Sequence, residues 1–432
     1  MSLSSMPSRA SLVTRIFLPF AAGYYLSYLM RTVNAVISPD LTRELGLGAA
    51  DLGLLTSTYF FAFALAQIPV GIALDRYGPR RVEAALLLLT GLGAALFALG
   101  DSLPLLAGAR ALIGLGVSAC LMAGLKGFTL WFPRDKLASM TGYVMSSGAL
   151  GAVTASAPLE AALPFIGWRG AFWVVAVLAV LVAATIFFAM PEKEAEHEGG
   201  DLQQALRGVG EVLTAAPFRG FAAQSAFFTG GFMALQGLWA VPWLMEVNGY
   251  SRAVAADHLL WLNIGMLAGQ LSIGAWAMPL AARGVSPLRL MQIGLFASMA
   301  VEALIVVQVG PTLALWCLLG AVSATGAQMY GVLAGYFPLR LAGRVTTCIN
   351  LVAFVGAFGV QWGLGGLVDG LRGGGMSAAT ALGGAGGGLG AGRGGGGRRA
   401  APARGVAFAL LLGAQALSFI PLARAGRLRP VG

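Results

Sequence analysis

The chain has 432 residues, of which 57% are hydrophobic and only 11% charged, and it carries a formal net charge of +10. Soluble domains carry about 25% charged residues, so this composition excludes an ordinary soluble protein and points to a membrane protein with many spans. The basic residues are scattered and form no polybasic cluster, so no nucleic-acid partner is expected.

A bilayer-spanning helix takes about 20 apolar residues. Such segments fall at 15–37, 52–74, 82–100, 104–130, 138–162, 170–190, 218–243, 257–280, 287–309, 312–336, 344–368 and 405–423. None alternates polar and apolar residues as a membrane barrel strand does. The expectation is an all-α membrane protein with twelve transmembrane helices. The first span has no small-residue cleavage site behind it and is read as retained. With both termini cytoplasmic, the inner segments hold Arg9, Arg15, Arg76, Arg80, Arg81, Arg134, Lys136, Lys193, Arg207, Arg219, Arg283, Arg289, Arg340, Arg344, Arg424, Arg427 and Arg429, whereas the outer loops before the last hold Arg43, Arg169 and Arg252. That bias follows the positive-inside rule.

The first span, "YYLSYLMRTVNAVISPDL", carries an arginine. Residues three or four apart share a helix face, so Tyr24, Ser27, Tyr28, Arg31, Asn34 and Ser38 form one polar stripe. A guanidinium stays charged in proteins, and at the bilayer centre it costs at least ~2.5 kcal/mol. A structural ion pair or a charged ligand is needed to offset this. In the fourth span Lys126 shares a face with Ser118, Met122 and Thr129. The alternative for Lys126 is a side chain that snorkels to the cytoplasmic interface.

The loop after the second span reads "GIALDRYGPRR". Its Gly71, Asp75, Arg76, Gly78, Arg80 and Arg81 stand in the order of the loop motif of the major facilitator superfamily, which the chain resembles over its whole length. The resemblance implies two six-helix bundles, here 1–190 and 218–432, joined by a cytoplasmic linker at 191–217, with this loop as a gating latch. Gly78 suits a tight turn, and Asp75 suits a helix N-terminus. Phe132-Pro133 and Phe337-Pro338 recur at half-chain spacing, as expected of a duplicated fold. "RALIGLG", with Arg110, Gly114 and Gly116, resembles a second motif of the superfamily. Its other reading is glycines for helix packing beside an arginine that snorkels outward.

In the superfamily, spans one, four, seven and ten line a central cavity, so the resemblance turns Arg31 and Lys126 towards it. Two cations there would repel each other by about 2 kcal/mol at ~8 Å and an effective dielectric of ~20; an anionic cargo removes that cost. The pattern of basic residues in spans one and four is similar to the organic-anion branches, the sugar-phosphate antiporters and the anion:cation symporters. The expected substrate set is Arg31, Lys126, Tyr28, Asn34 and Tyr24, with Gln236, Trp239, Gln328, Asn350 and Gln361 from the second half contacting the uncharged body of the ligand. Symporters of sugar acids often have an aspartate where Met30 stands, so the coupling site is sought elsewhere: Glu302 first, then Glu160.

The expected function is secondary transport of a small organic anion across the bacterial cytoplasmic membrane by a monomer embedded in lipid, with protons as the candidate coupling ion. The rivals are efflux of drugs or cations, nitrate-type transport and a transporter-like ligand sensor. Cys120, Cys317 and Cys348 have neither disulfide nor metal-site spacing, and no nucleophile-base set assembles, so neither a cofactor, a metal nor an enzyme activity is expected. The stretch at 370–404 is too rich in glycine to pack and is expected to be disordered.

Overall fold

A computed structural model describes residues 12–133, 136–191, 202–338, 341–374 and 406–425. The expectations for Arg9, Arg134, Lys193, Arg340, Arg427, Arg429, the start of the linker and nearly all of the 370–404 stretch lie outside these residues. The described chain is helical throughout. Its elements are α1 (Leu18–Leu45), α2 (Ala49–Leu99), α3 (Leu103–Trp131, interrupted by a turn at 117–119), α4 (Leu137–Thr154), α5 (Ala157–Ala189), α6 (Leu202–Thr214) and α7 (216–246). There follow α8 (Arg252–Ala282), α9 (Pro287–Val306), α10 (Thr312–Ala334), α11 (Ala342–Gly373) and α12 (Val406–Ala425). Six of the described helices are long and apolar enough to cross a membrane by themselves.

Two of these runs each hold two helices that meet at a glycine of positive φ. The run α2 holds the segments expected at 52–74 and 82–100 as two helices that meet at Gly78, whose φ is 77°. The segment at 170–190 belongs to α5, which begins at Ala157 and whose two helices meet at Gly167, with φ of 65°. Both angles lie in the left-handed region that a Cβ disfavours. The fifth expected segment is in turn broken at Ala155-Ser156, between α4 and α5.

The chain forms two compact units. One comprises residues 1–33 and 58–211, the other residues 34–57 and 212–432. In the first unit Phe20, Phe60, Phe97, Phe128 and Phe172 are fully buried, and Phe97 stacks on Phe172 with ring centroids 4.1 Å apart. Association of helices in lipid relies on close packing across small residues rather than on expulsion of water. Accordingly, a side chain added at Gly114 would collide with the Tyr59 backbone, and one added at Gly151 with Tyr25 O.

The second unit uses the same device. Gly265 and Gly269 on α8 face the backbone of Cys317 and Ala321 on α10, and Gly320 on α10 faces Leu262 O on α8. Residues 34–57, the end of α1 and the start of α2, pack within this unit. Gly53 lies against Gln361 O of α11, and Gly365 of α11 against Ala49 O. Asp369 accepts hydrogen bonds from Ala49 N at 3.2 Å and Ala50 N at 2.7 Å. These amides begin a helix and have no carbonyl of their own to reach, so the carboxylate both caps them and meets the positive end of the helix dipole. Asp40 pairs with Arg252 at 2.7 Å and with Arg43 at 2.5 Å. Large apolar side chains such as Phe165, Phe188 and Leu417 project outward, 87%, 81% and 65% exposed, as a lipid-facing surface requires.

Candidate functional site

Arg31 is buried on α1, 6% exposed. Its guanidinium lies 4.3 Å from the centre of the Tyr28 ring and 5.9 Å from that of Phe63, where the negative faces of the rings attract a cation. Tyr24 packs edge-on against Tyr28, 5.1 Å away. Arg31 also donates to the hydroxyl of Tyr59, which itself donates to Ser27 O at 3.1 Å.

A second arginine lies against the same tyrosine. Arg110 of α3 is fully buried, its guanidinium 4.9 Å from the Tyr59 ring centre, and its Nη1 donates to Met30 O at 3.0 Å. The Nε and Nη2 of Arg110 have no hydrogen-bond partner. The outward snorkel considered for this residue is thus corrected. Gly114, one turn along α3, lets the helix rest on the Tyr59 backbone, and this approach carries the Arg110 guanidinium inward over the ring. Tyr59 itself sits in the apolar run "STYFFAF" and gave no signal of its role; its position became visible only once α1, α2 and α3 were packed.

Lys126 is engaged elsewhere. Its ammonium forms an ion pair with Asp75 of the loop motif. In the same motif Arg80 Nε donates to Phe187 O at 2.7 Å and lies over the Phe187 ring; Arg76 lies over Tyr77. Gly71 has open space where a side chain would stand, so no close helix contact accounts for it. Arg81 and Gly78 complete the turn.

Several polar residues of the second unit are hydrogen-bonded within it. Asn34 Nδ2 donates to Thr56 Oγ1 at 2.8 Å. Gln236 Nε2 donates to Asn263 Oδ1 at 2.6 Å, Trp239 Nε1 to Gln361 O at 3.3 Å, and Tyr330 Oη to Asn350 Oδ1 at 3.0 Å. Gln328 is half-buried. The amide of Gln361 is fully buried with neither Nε2 nor Oε1 paired. Glu302 is buried on α9, and Glu160 is half-buried in the first turn of α5, where the helix dipole favours a carboxylate. Among the described residues there is no cluster of three or more His, Cys, Asp or Glu that could hold a metal.

The profile of the Major Facilitator Superfamily matches residues 20–360. The chain belongs to this superfamily. It is a transporter, not an enzyme, and a multi-pass protein of the bacterial inner membrane. A "Probable L-galactonate transporter" of Escherichia coli K12 is 26% identical over 377 residues, covering 82% of each chain. A "Hexuronate transporter" of the same strain is 26% identical over 57% of this chain and 62% of its own. A "Probable sulfoacetate transporter" of Cupriavidus necator is 27% identical over 42% of this chain and 43% of its own, so the chain spans less than two thirds of these last two relatives. Among solved structures, the superfamily fold is shared with a bacterial homologue of the lysosomal transporter Spinster (TM-score 0.67, 19% identity, 97% and 96% of the two chains). The nucleoside transporter NupG also shares it (TM-score 0.72, 11% identity, 94% and 99%).

Proposed function

We propose that this protein carries a small organic anion, of the sugar-acid or short carboxylate class, across the inner membrane by alternating access of two six-helix bundles. In this reading the twelve spans leave both termini cytoplasmic, and Arg31 and Arg110 hold the anion. The observation that carries it is the pair of buried guanidinium groups on one tyrosine, with two donors of Arg110 unpaired. Both groups are permanently charged, and a planar guanidinium fits a carboxylate through two parallel hydrogen bonds. Their mutual repulsion in a medium of low dielectric is relieved when an anion arrives.

Tyr24 and Tyr28 supply aromatic walls beside Arg31. The names of the relatives favour such cargo: L-galactonate, hexuronate and sulfoacetate are all small organic anions. Lys126 takes a different part, as the partner of Asp75 in the cytoplasmic latch.

The test is counterflow in proteoliposomes loaded with unlabelled galactonate, glucuronate or sulfoacetate and challenged with the labelled compound. At least one of them accumulates in vesicles bearing the wild-type protein, and Arg31→Ala and Arg110→Ala each abolish accumulation while the yield of folded protein is kept. Full accumulation by either arginine variant would overturn the site.

A further inference from the structure

The second unit encloses a polar chamber that is separate from the arginine pair. It lies between α7, α9, α10 and α12 and has room for about one water-sized occupant. Four oxygen-bearing side chains meet there: Ser298 and Glu302 of α9, Ser323 of α10 and Gln415 of α12. Ser298 and Glu302 are one turn apart and share a face. All four are buried. The two serine hydroxyls hydrogen-bond each other at 2.7 Å, and the Gln415 amide donates to the Glu302 carboxylate.

Two acceptors remain unused, Glu302 Oε1 and Gln415 Oε1, both buried and without a partner. The rest of the lining is apolar or glycine, as at Phe228, Phe232 and Leu319, so Glu302 is the one ionisable group among the described residues of the chamber. A bare carboxylate inside a transmembrane bundle is costly and marks an ion or proton pathway when it persists. A neutral water could satisfy the acceptors but leaves the charge uncompensated.

The backbone is also irregular around this chamber. Helix α7 widens into a π-turn at Ser225–Thr229 and again at Leu235–Trp239, and α10 tightens into a 3₁₀ turn at Ala324–Ala327, just after Ser323. Irregular backbone at membrane depth is tolerated where it is packed in protein or lines a cavity, and π-turns gather at functional sites.

We infer that this chamber binds a single sodium ion, held by Glu302, Gln415 Oε1, Ser298 and Ser323. An all-oxygen donor set suits a hard cation, and one carboxylate matches one positive charge. Among the described residues no thiol or imidazole lines the chamber to favour a softer metal. The site requires no anion to be bound, so it stands or falls apart from the reading of the arginine pair.

The test is thermal unfolding of the full chain in detergent, with no organic anion present, in sodium, potassium and choline chloride at constant ionic strength. An ion that binds only the folded state raises the unfolding temperature by mass action. The wild-type protein should show a saturable rise of a few degrees in sodium alone. Glu302→Gln keeps the shape and removes the charge, and should abolish that rise; Ser298→Ala, which trims one oxygen, should shift it to higher sodium concentration. Identical unfolding temperatures in the three salts would overturn the site without any variant. So would a sodium response retained in Glu302→Gln, or an unfolding temperature that follows pH and ignores sodium, which would make the chamber a proton site.

Discussion

Lys126 of α3 and Asp75 of α2 form an ion pair inside the first unit. Their side chains are 26% and 59% exposed, so solvent and salt screen them, and exposed pairs contribute between nothing and about 1 kcal/mol. A double-mutant cycle with Lys126→Ala and Asp75→Asn should give a coupling energy below about 1 kcal/mol that shrinks as salt is raised. Thermal unfolding measures it. Ligand-induced stabilisation should survive in Lys126→Ala, because the lysine is occupied away from Tyr59.

The arginines on Tyr59 behave differently. Arg110→Lys keeps a positive charge but loses the planar fork, and its ammonium cannot at once reach Met30 O and lie flat over the ring. Affinity for a carboxylate should fall by about tenfold or more, equivalent to about 1.4 kcal/mol, as read by titrating the thermal shift against ligand concentration. Tyr59→Phe removes the hydroxyl shared by Arg31 and Ser27 O and should weaken binding with little loss of folded protein.

Asp369 caps the start of α2 through two backbone amides. Replacing such a cap by alanine costs about 1 kcal/mol. Asp369→Ala should lower the unfolding temperature by an amount of that order, and Asp369→Asn by less, since the amide oxygen still accepts one hydrogen bond.

Gly320 lies at a close crossing of α8 and α10. A side chain there meets Leu262 O, with Leu262 C and Met266 N each 2.9 Å from the new carbon, and backbone on a packed helix cannot give way as a flexible side chain can. Gly320→Val should cost about 1–3 kcal/mol or more, seen as a loss of monodisperse protein in size-exclusion chromatography. The same change at Gly108, which faces open space, should be tolerated.

Much of the architecture was legible because lipid imposes simple rules: long apolar runs, and small residues where helices touch. Gly78 was readable as a turn, and its positive φ follows from the lack of a Cβ. Arg31 was readable because a charge in an apolar run demands compensation. The assignment of its companion was harder. Lys126 and Arg110 lie on the same helix, and the sequence offers no way to tell which bends inward; that depends on Gly114 resting against Tyr59 and on Asp75 standing within reach of the lysine. Glu302 was visible as a carboxylate out of place, yet Ser323 and Gln415 come from other helices, and only packing assembles the oxygens around it.

The grouping of residues 34–57 with the second unit has a consequence for anyone who divides the gene in the middle. A fragment beginning at Val212 would lack Asp40, leaving Arg252 without that carboxylate, and would lack Ala49 and Ala50, leaving Asp369 with no amides to cap. Co-expressed halves should therefore accumulate together or not at all, and the C-terminal half made alone should be cleared by proteases, because part of its own fabric is encoded at the opposite end of the message.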